Sequence, residues 1–147
     1  MVVRKQFSES QQEAIRDAIA AAELNTSGEI RVHIDKVCKK DPIERAIEMF
    51  AKLGMHKTEL KNGVLFFVSM ENHKLAIIGD KGINEAVTAD FWDSIRDEMI
   101  QHFKQGLYTE GLVNGIHRAG EQLKAAFPFQ SDDENELSND VSFEGEE

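Results

Sequence analysis

The sequence is poor in the residues that mark secreted, thiolate-metal and membrane proteins. It contains 1 cysteine, 2 prolines, 1 tryptophan and 1 tyrosine among 147 residues. The single Cys38 excludes an internal disulfide and fits a reducing compartment. No run approaches the roughly 20 apolar residues of a membrane span, and the polar stretch 1–10 lacks a signal-peptide core. These features predict a cytoplasmic protein without a membrane partner.

Negative charge is abundant but unevenly placed. The net charge is −10, yet eight of the 27 acidic residues and none of the 17 basic residues lie in 131–147, which leaves 19 acidic against 17 basic residues before it. No basic face with interleaved aromatics appears, so we expect no nucleic-acid partner. We predict one domain over residues 1–130 and a disordered acidic tail over 131–147, since the tail has few apolar residues to offset its ordering entropy. Docking of the tail through Leu137, Val141 and Phe143 is the alternative.

The centre of the chain predicts a β-hairpin. Val64–Val68 is continuously apolar and rich in β-formers, as in a strand covered on both faces. A second apolar run, Leu75–Ile78, follows a short polar connection, so we expect the two strands to be antiparallel. Upstream, residues 29–35 alternate polar with β-branched side chains. This alternation predicts a strand with one buried face and places His33 on the solvent side.

Four main helices are predicted from capping residues and apolar stripes at helical spacing. They are Glu9–Leu24 after the capping box of Ser8 and Gln11, a helix from Asp41 and Pro42 to Gly54, a helix from Thr88 to Gly106 with Trp92 on its apolar stripe, and a last helix from about Glu110 to Pro128. A further short strand is expected within Leu107–Thr109. The second helix connects the strand at 29–35 to the strand at Val64, which should make these two strands parallel. The order α-β-α-β-β-α-α predicts an α/β sandwich in which a small mixed sheet is flanked by helices.

Standard nucleotide, dinucleotide and serine-hydrolase motifs are absent from the sequence. The predicted directions of the three strands nevertheless indicate a candidate site. Two parallel strands and an antiparallel third bring the starts of the first two and the end of the third to one edge. The oxygen donors expected there are Glu29, Asp80, Glu85, Asp90 and Asp93, with the amides of Asn62 and Asn84. Oxygen-only sets favour Ca²⁺ or Mg²⁺. Strand spacing puts the Cα atoms of Glu29 and Asp80 roughly 10 Å apart, so one cation could bridge their side chains.

Two alternatives remain open at this point. Asp90 and Asp93 would also favour the positive end of a helix dipole, while Glu29 and Asp80 would be ordinary solvated strand ends. Ligands of parallel α/β sheets usually bind at the opposite edge, beyond the carboxyl ends of the strands. The residues expected at that edge are Asp35, Lys36, Asp41, Glu71 and His73. That set mixes charges and lacks glycines that would admit a phosphate, so it ranks second.

Four segments together resemble the TPM domain family. They are Thr26–Ile30 before the first strand, Asn62–Val68 in the second strand, Gly79–Ile83 after the third, and Phe103–Leu112 between the last two helices. The resemblance implies a Rossmann-like three-layer α/β sandwich, divalent-cation binding (notably of calcium) in some members, and a weak phosphatase activity reported for a plant member. It maps the family's acidic pocket most directly onto Glu29 and Asp80, followed by Asp90 and Asp93. We expect a form without the export signal and membrane segment that many members carry.

Three functions follow from these observations. The first is a binding module that holds Ca²⁺ or Mg²⁺ in the acidic loops and orders them, with an unknown protein as partner. The second is a weak metal-assisted phosphatase, in which the cation polarises phosphate and activates water, with Arg31 and Lys81 as the nearest cationic side chains. The third is a metal-independent protein-interaction domain. We favour the first and expect a monomer.

Overall fold

A computed structural model describes residues 7–58, 60–88, 90–128 and 139–144. Its elements are α1 (Glu9–Glu23), β1 (Glu29–Asp35), α2 (Pro42–Lys52), a 3₁₀ turn (Met55–Lys57), β2 (Gly63–Ser69), β3 (Lys74–Gly79), α3 (Lys81–Ala86), α4 (Asp93–Lys104), α5 (Tyr108–Ala126) and β4 (Ser142–Phe143). The predicted α/β class, with a mixed sheet and flanking helices, is confirmed.

The four strands form one sheet in the order β3-β2-β1-β4. β1 runs parallel to β2 with Glu29 opposite Gly63, as a crossover through α2 requires. β3 returns antiparallel to β2 with Gly79 opposite Val64. The predicted directions of these three strands are therefore confirmed.

Helices cover the sheet on both faces. β2 is buried at every position, which its continuous apolar run predicts. Val64 and Phe66 pack into a large core with α1, α4 and α5, whereas Leu65 and Phe67 pack on the other face with Ala46 and neighbouring α2 side chains. Alternate β2 side chains thus belong to two different cores.

The first two helices begin where their sequence signals place them. Ser8 Oγ accepts a hydrogen bond from Gln11 N at 3.1 Å, and Gln11 Oε1 accepts one from Ser8 N at 2.8 Å, which completes the capping box. Asp41 Oδ1 accepts from Ile43 N at 2.8 Å at the start of α2. Gly54 follows the end of α2 with a φ of 69°, in the left-handed region that glycine adopts without strain.

β1 differs from its prediction because both of its faces are buried. His33, expected on the solvent side, is fully buried. The alternating pattern was typical of a surface strand, but the side chains on the second face have protein partners that compensate their burial. Asp35 Oδ1 lies 2.8 Å from His33 Nε2, and Ser142 Oγ lies 2.9 Å from His33 Nδ1. The prediction of a solvent-exposed His33 is therefore wrong.

A short helix that the sequence analysis did not identify, α3, follows β3 directly. Asp80 caps it by accepting a hydrogen bond from Lys81 N at 2.7 Å. Gly82 then approaches the preceding loop so closely that an added Cβ would lie 2.5 Å from Leu60 O. Glycine at this position allows α3 to pack against the backbone before β2.

The start of α4 also differs from its prediction. Thr88 does not cap this helix, since its hydroxyl donates to Asp90 Oδ1 at 2.6 Å. The helix begins at Asp93, with Trp92 before its first turn rather than within its apolar stripe. Residues 107–109, expected to contain a short strand, instead lie at the start of α5.

Residues 139–144 correct the prediction of disorder for that part of the tail. β4 pairs in parallel with β1 at residues 33–34. Phe143 is fully buried, and its ring centroid lies 5.9 Å from that of Phe7. The contact between the two aromatic rings offsets the entropy lost on ordering this segment. The acidic composition had suggested that this entropy loss would keep the segment disordered.

Residues 139–144 fit the alternative prediction that the tail docks on the domain, because Val141 is 4% exposed and Phe143 is fully buried. Leu137, the third anchor of that alternative, lies outside the described residues. The domain boundary at residue 130 stays a prediction.

Candidate functional site

The amino edge, which we define as the edge holding the starts of β1 and β2 and the end of β3, forms as chain direction predicts. Glu29 N donates to Asn62 O at 3.1 Å, and Asp80 N donates to Gly63 O at 2.9 Å. These two hydrogen bonds place the three strand ends side by side. The structure therefore brings the backbones of Glu29, Asn62 and Asp80 together.

Gly63 lies between Glu29 and Asp80 in the ladder, so the three residues face the same side of the sheet. The space above Gly63 is filled. A Cβ built there would lie 3.2 Å from Met55 O and 3.7 Å from Phe50 Cζ. One ion shared by the Glu29 and Asp80 carboxylates would have to displace Phe50 or Met55.

Glu29 has an acidic neighbour that the sequence analysis missed. Glu29 is only 4% exposed, and Glu23, at the end of α1, accepts a hydrogen bond from Ile30 N at 3.2 Å. Burial raises the pKa of Glu23 to about 7; the Ile30 hydrogen bond opposes this shift and the charge of Glu29 adds to it. The sequence feature that could have revealed this neighbour is the short turn between Glu23 and Glu29, which brings the end of α1 to the start of β1.

Asp80 has one satisfied and one unsatisfied carboxylate oxygen. Oδ1 accepts from Lys81 N, as described for the start of α3. Oδ2 is screened from solvent and has no hydrogen-bond partner within the described ranges. A buried oxygen without a partner costs free energy, and costs more when it carries charge. Asp80 is therefore the acidic residue at this edge that best fits a ligand.

Asp80 lines a groove with a volume of about 800 Å³ between α2, the end of β3 and α3. The groove is lined by Ile43, Ile47, Phe50, Ala51, His56, Ile77, Ile78, Gly79, Asp80, Lys81, Asn84, Glu85 and Trp92. Its polar part contains Asp80, Asn84 and Glu85, and its remaining walls are mostly apolar. Two predicted ligands, Asp80 and Glu85, thus line one cavity together with the Asn84 amide.

Glu85 is held only weakly by its neighbour. Its carboxylate lies 3.9 Å from Lys81 Nζ, and the two side chains are 67% and 78% exposed. An exposed pair of this kind contributes little stability because water and salt screen it. Glu85 is therefore available to bind a ligand in the groove at small cost.

Asp90 and Asp93 have other neighbours and do not line the groove. Asp90 accepts the Thr88 hydroxyl. Asp93 Oδ1 accepts from Arg96 Nη2 at 3.2 Å within the first turn of α4. The chain direction that joins Asp80 to Glu85 does not bring these two carboxylates into the same cavity.

The groove supplies two carboxylates rather than a full protein cage. In the part of the chain that the structure describes, no three His, Cys, Asp or Glu side chains cluster tightly enough to hold a metal ion. Ca²⁺ and Mg²⁺ commonly complete their oxygen shells with amides and water. The donors present fit such an ion, with water as the remaining ligand, and do not fit zinc.

The opposite end of β1 carries a buried polar chain, which we call the carboxyl-edge network: Ser142, His33, Asp35 and Arg45. Arg45 Nε donates to Asp35 Oδ2 at 2.8 Å, and Asp35 Oδ1 contacts His33. Burial alone would raise the pKa of Asp35, but hydrogen bonds from His33 and Arg45 outweigh it and lower that pKa below its ordinary value. The predicted second-rank edge thus contributes Asp35 to a network, with partners from α2 and β4.

This network has the residue types of a serine-hydrolase triad but not its accessibility. Ser142 is 8% exposed, and His33 and Asp35 are at most 1% exposed. A nucleophile must reach a substrate carbonyl or phosphorus atom, which these side chains cannot do without detachment of β4. The network therefore joins β4 to the sheet.

The comparisons with known proteins agree with this fold. The TPM domain model matches residues 3–122. The chain belongs to the TPM domain family. The NMR structure of the BA42 protein from the psychrophilic bacterium Bizionia argentinensis is 45% identical, with a TM-score of 0.89 over 96% of this chain and 97% of that one. Among curated proteins, no match was found.

Two more distant structures share the fold of this TPM domain. The N-terminal domain of a protein from P. gingivalis is 19% identical, with a TM-score of 0.68 over 82% of this chain and 78% of that one. The N-terminal domain of the cg2496 protein from Corynebacterium glutamicum is 14% identical, with a TM-score of 0.63 over 95% of this chain and 82% of that one. Within the described ranges, no helix of the TPM domain is both long and apolar enough to span a membrane.

Proposed function

We propose that this TPM domain is a binding module that takes up a divalent cation, Ca²⁺ or Mg²⁺, at the polar end of the groove. Asp80 and Glu85 supply carboxylate oxygens, the Asn84 amide supplies a neutral oxygen, and water completes the shell. The observation that carries the proposal is Asp80 Oδ2, which is screened from solvent and has no hydrogen-bond partner in the described residues. A cation would compensate the charge and the missing partner together.

The bound cation would stabilise α3. This helix has only six residues, Lys81–Ala86, and all three proposed ligands lie on it or cap it. A helix this short gains little stability from its own hydrogen bonds. An ion that links the cap to the last turn would therefore stabilise α3 and fix one wall of the groove.

Three predicted ligands lie outside this arrangement. Glu29 is separated from Asp80 by Phe50 and Met55, and Asp90 and Asp93 do not line the groove. Their participation stays a prediction. It requires an ion that binds elsewhere along the edge or a rearrangement of the side chains that fill the space above Gly63.

The alternative of a metal-assisted phosphatase has less specific support. Lys81 lines the groove and would face a phosphate, but Arg31 lies on β1 and does not line it. His56 is the one histidine among the described residues that line the groove, and its side chain forms no hydrogen bond or ion pair with a carboxylate there. The geometry supports uptake of a cation more directly than catalysis.

The proposal is tested by thermal unfolding of metal-free protein as Ca²⁺ and then Mg²⁺ are added. A cation that binds only the folded state raises Tm in a saturable manner. We expect this rise in the wild type and in Asp17→Asn, whose carboxylate is exposed on α1. We expect it to disappear in Asp80→Asn. A Tm that no concentration of either ion changes, or a rise that persists in Asp80→Asn, would contradict the assignment.

A further inference from the structure

β3 is the outermost strand of the sheet that the described residues form, and its free backbone edge opens into the groove. Asp80 N bonds to Gly63 O, so alternate residues from Asp80 backwards face β2. The intervening residues, Gly79 and Ile77, point their N–H and C=O groups away from β2. Both line the groove. Unpaired strand edges of this kind are templates for another extended backbone.

The walls beside this edge are apolar on both sides. Ile43 and Ile47, on α2, are 51% and 58% exposed, although they lie on the side of the helix that lines the groove. Trp92 lines the groove from the other side. In a strand that adds to β3, successive side chains would point alternately toward α2 and toward Trp92. Each would meet an apolar surface.

The charge at the end of the groove specifies one further feature of an occupant. Asp80 Oδ2 has no hydrogen-bond partner among the described residues, and the ion pair of Glu85 with Lys81 is exposed. Lys or Arg on an added strand would supply the donor and the positive charge together. That side chain must lie at the Gly79 end of β3, which is the starting end of an antiparallel neighbour.

We propose that the groove binds an extended peptide segment of a partner protein, which pairs antiparallel with the free edge of β3 through Ile77 and Gly79. The segment carries a Lys or Arg at its start and apolar residues after it. This inference uses the groove of the proposed cation site but does not depend on a cation. An ion at Asp80 would compete with the basic side chain.

A second copy of the chain fits this edge less well. The β3 edge is recessed between α2 and Trp92, so two such edges cannot meet without displacement of both walls. A single extended peptide has no such walls and enters the recess directly. Strand addition of a peptide gains its affinity from main-chain hydrogen bonds and its specificity from alternate side chains.

The test uses the full chain in buffer containing a metal chelator, with the blocked peptide acetyl-Lys-Val-Ile-Val-Thr-Val-amide as the probe. Amide hydrogen exchange and chemical shifts are followed by NMR. We expect the Ile77 and Gly79 amides to become protected and to shift as the peptide saturates. Unchanged exchange at both amides at saturating peptide would overturn the proposal.

Two N-methylated probes separate strand pairing from apolar adhesion. One carries methyl groups on the second and fourth residues and the other on the third and fifth, so only one set faces β3. We expect one probe to bind at least roughly tenfold more weakly than the other, since it loses its backbone hydrogen bonds to β3. Equal affinities of the two methylated probes would overturn strand pairing.

Protein variants locate the peptide. Ile47→Glu should weaken binding by roughly tenfold, since it places charge against the apolar residues of the probe. Leu24→Glu, at a 70% exposed position outside the groove, should leave binding unchanged. If both variants bind as tightly as the wild type, the groove is not the site.

The same samples distinguish this inference from the cation proposal. Peptide binding is measured without free metal ions, so it survives even if neither Ca²⁺ nor Mg²⁺ binds. If both proposals hold, added Ca²⁺ weakens peptide binding in the wild type but not in Asp80→Asn. Protection of Ile77 and Gly79 that rises with protein concentration in the absence of peptide would assign the edge to a second copy and overturn the peptide proposal.

Discussion

At the carboxyl edge, Asp35 accepts hydrogen bonds from His33 and Arg45, whereas at the amino edge Asp80 Oδ2 has no partner in the described part of the chain. Asp35 is the last residue of β1, Asp80 directly follows the last residue of β3 in the same sheet, and each lies beside an α-helix. Buried polar groups are normally satisfied, so an unsatisfied one needs an explanation. We propose that this difference reflects two roles, with the carboxyl edge contributing stability and the amino edge binding a ligand.

The largest expected effect comes from disruption of the carboxyl-edge network. Asp35→Asn removes the charge that Arg45 and His33 both contact, and we expect the free energy of unfolding to fall by about 3 kcal/mol. Urea unfolding at pH 7 measures this loss. Asp17→Asn on the exposed face of α1 is the matched control. An Asp35→Asn variant as stable as the control would remove the structural role of the network.

The next effect concerns Glu23 and pH. Its folded pKa of about 7 lies above the ordinary 4.5, so from pH 4.5 to 7 the unfolded state has released a proton that the folded state keeps. Stability should therefore fall as pH rises through this window, by roughly 2 kcal/mol after allowance for partial exposure, and should level off above it. Urea unfolding across this range measures the slope.

Glu23→Gln is the matching variant for this pH effect. Because the glutamine side chain at this position does not titrate, the fall in stability between pH 4.5 and 7 should largely vanish. Asp35 does not contribute in this window, because its pKa lies below the ordinary 3.8. A slope as steep in Glu23→Gln as in the wild type would show that another group is responsible.

A smaller effect isolates the contact between β4 and the network. Ser142→Ala leaves His33 Nδ1 without the hydroxyl that lies 2.9 Å away, and we expect a loss of about 1 kcal/mol. Amide exchange at Glu144, whose N–H donates to Ile34 O, should accelerate in the same variant. Unchanged exchange at Glu144 would indicate that β4 is held without this contact.

The smallest expected effect sharpens the comparison most. Asp80→Asn in metal-free buffer should change the free energy of unfolding by no more than about 0.5 kcal/mol, or raise it, because asparagine caps a helix as well as aspartate and removes an uncompensated charge. Urea unfolding beside Asp35→Asn checks this. Equal losses in the two variants would mean that Asp80 serves the fold in the same way as Asp35.

The elements that the sequence predicted correctly are those with local signals. The capping box of Ser8 and Gln11 and the cap at Asp41 act within one helical turn. The strand directions followed from the short connection before β3 and the helix between β1 and β2. Because these directions define the amino edge, the approach of Asp80 to Asn62 was also predictable.

The burial of His33 and of Phe143 was missed because both depend on contacts between residues far apart in the chain. His33 is buried because Ser142, 109 residues away, and Asp35 satisfy its ring nitrogens. No local pattern reveals such a partner. Likewise, composition cannot show that Phe143 reaches a buried position beside Phe7. The spacing between strands suggested an ion that bridges Glu29 and Asp80. Side chains of α2 and the 3₁₀ turn fill the space above Gly63 and disfavour this bridge.

A Ca²⁺ titration of metal-free protein followed by amide NMR tests the central claim most directly, since it reports on both ends of the sheet in one experiment. The account predicts saturable shifts for the amides of Gly79–Glu85 and none for those of His33–Asp35. Shifts confined to the carboxyl edge, or no shift at Gly79–Glu85 at any Ca²⁺ or Mg²⁺ concentration, would contradict it.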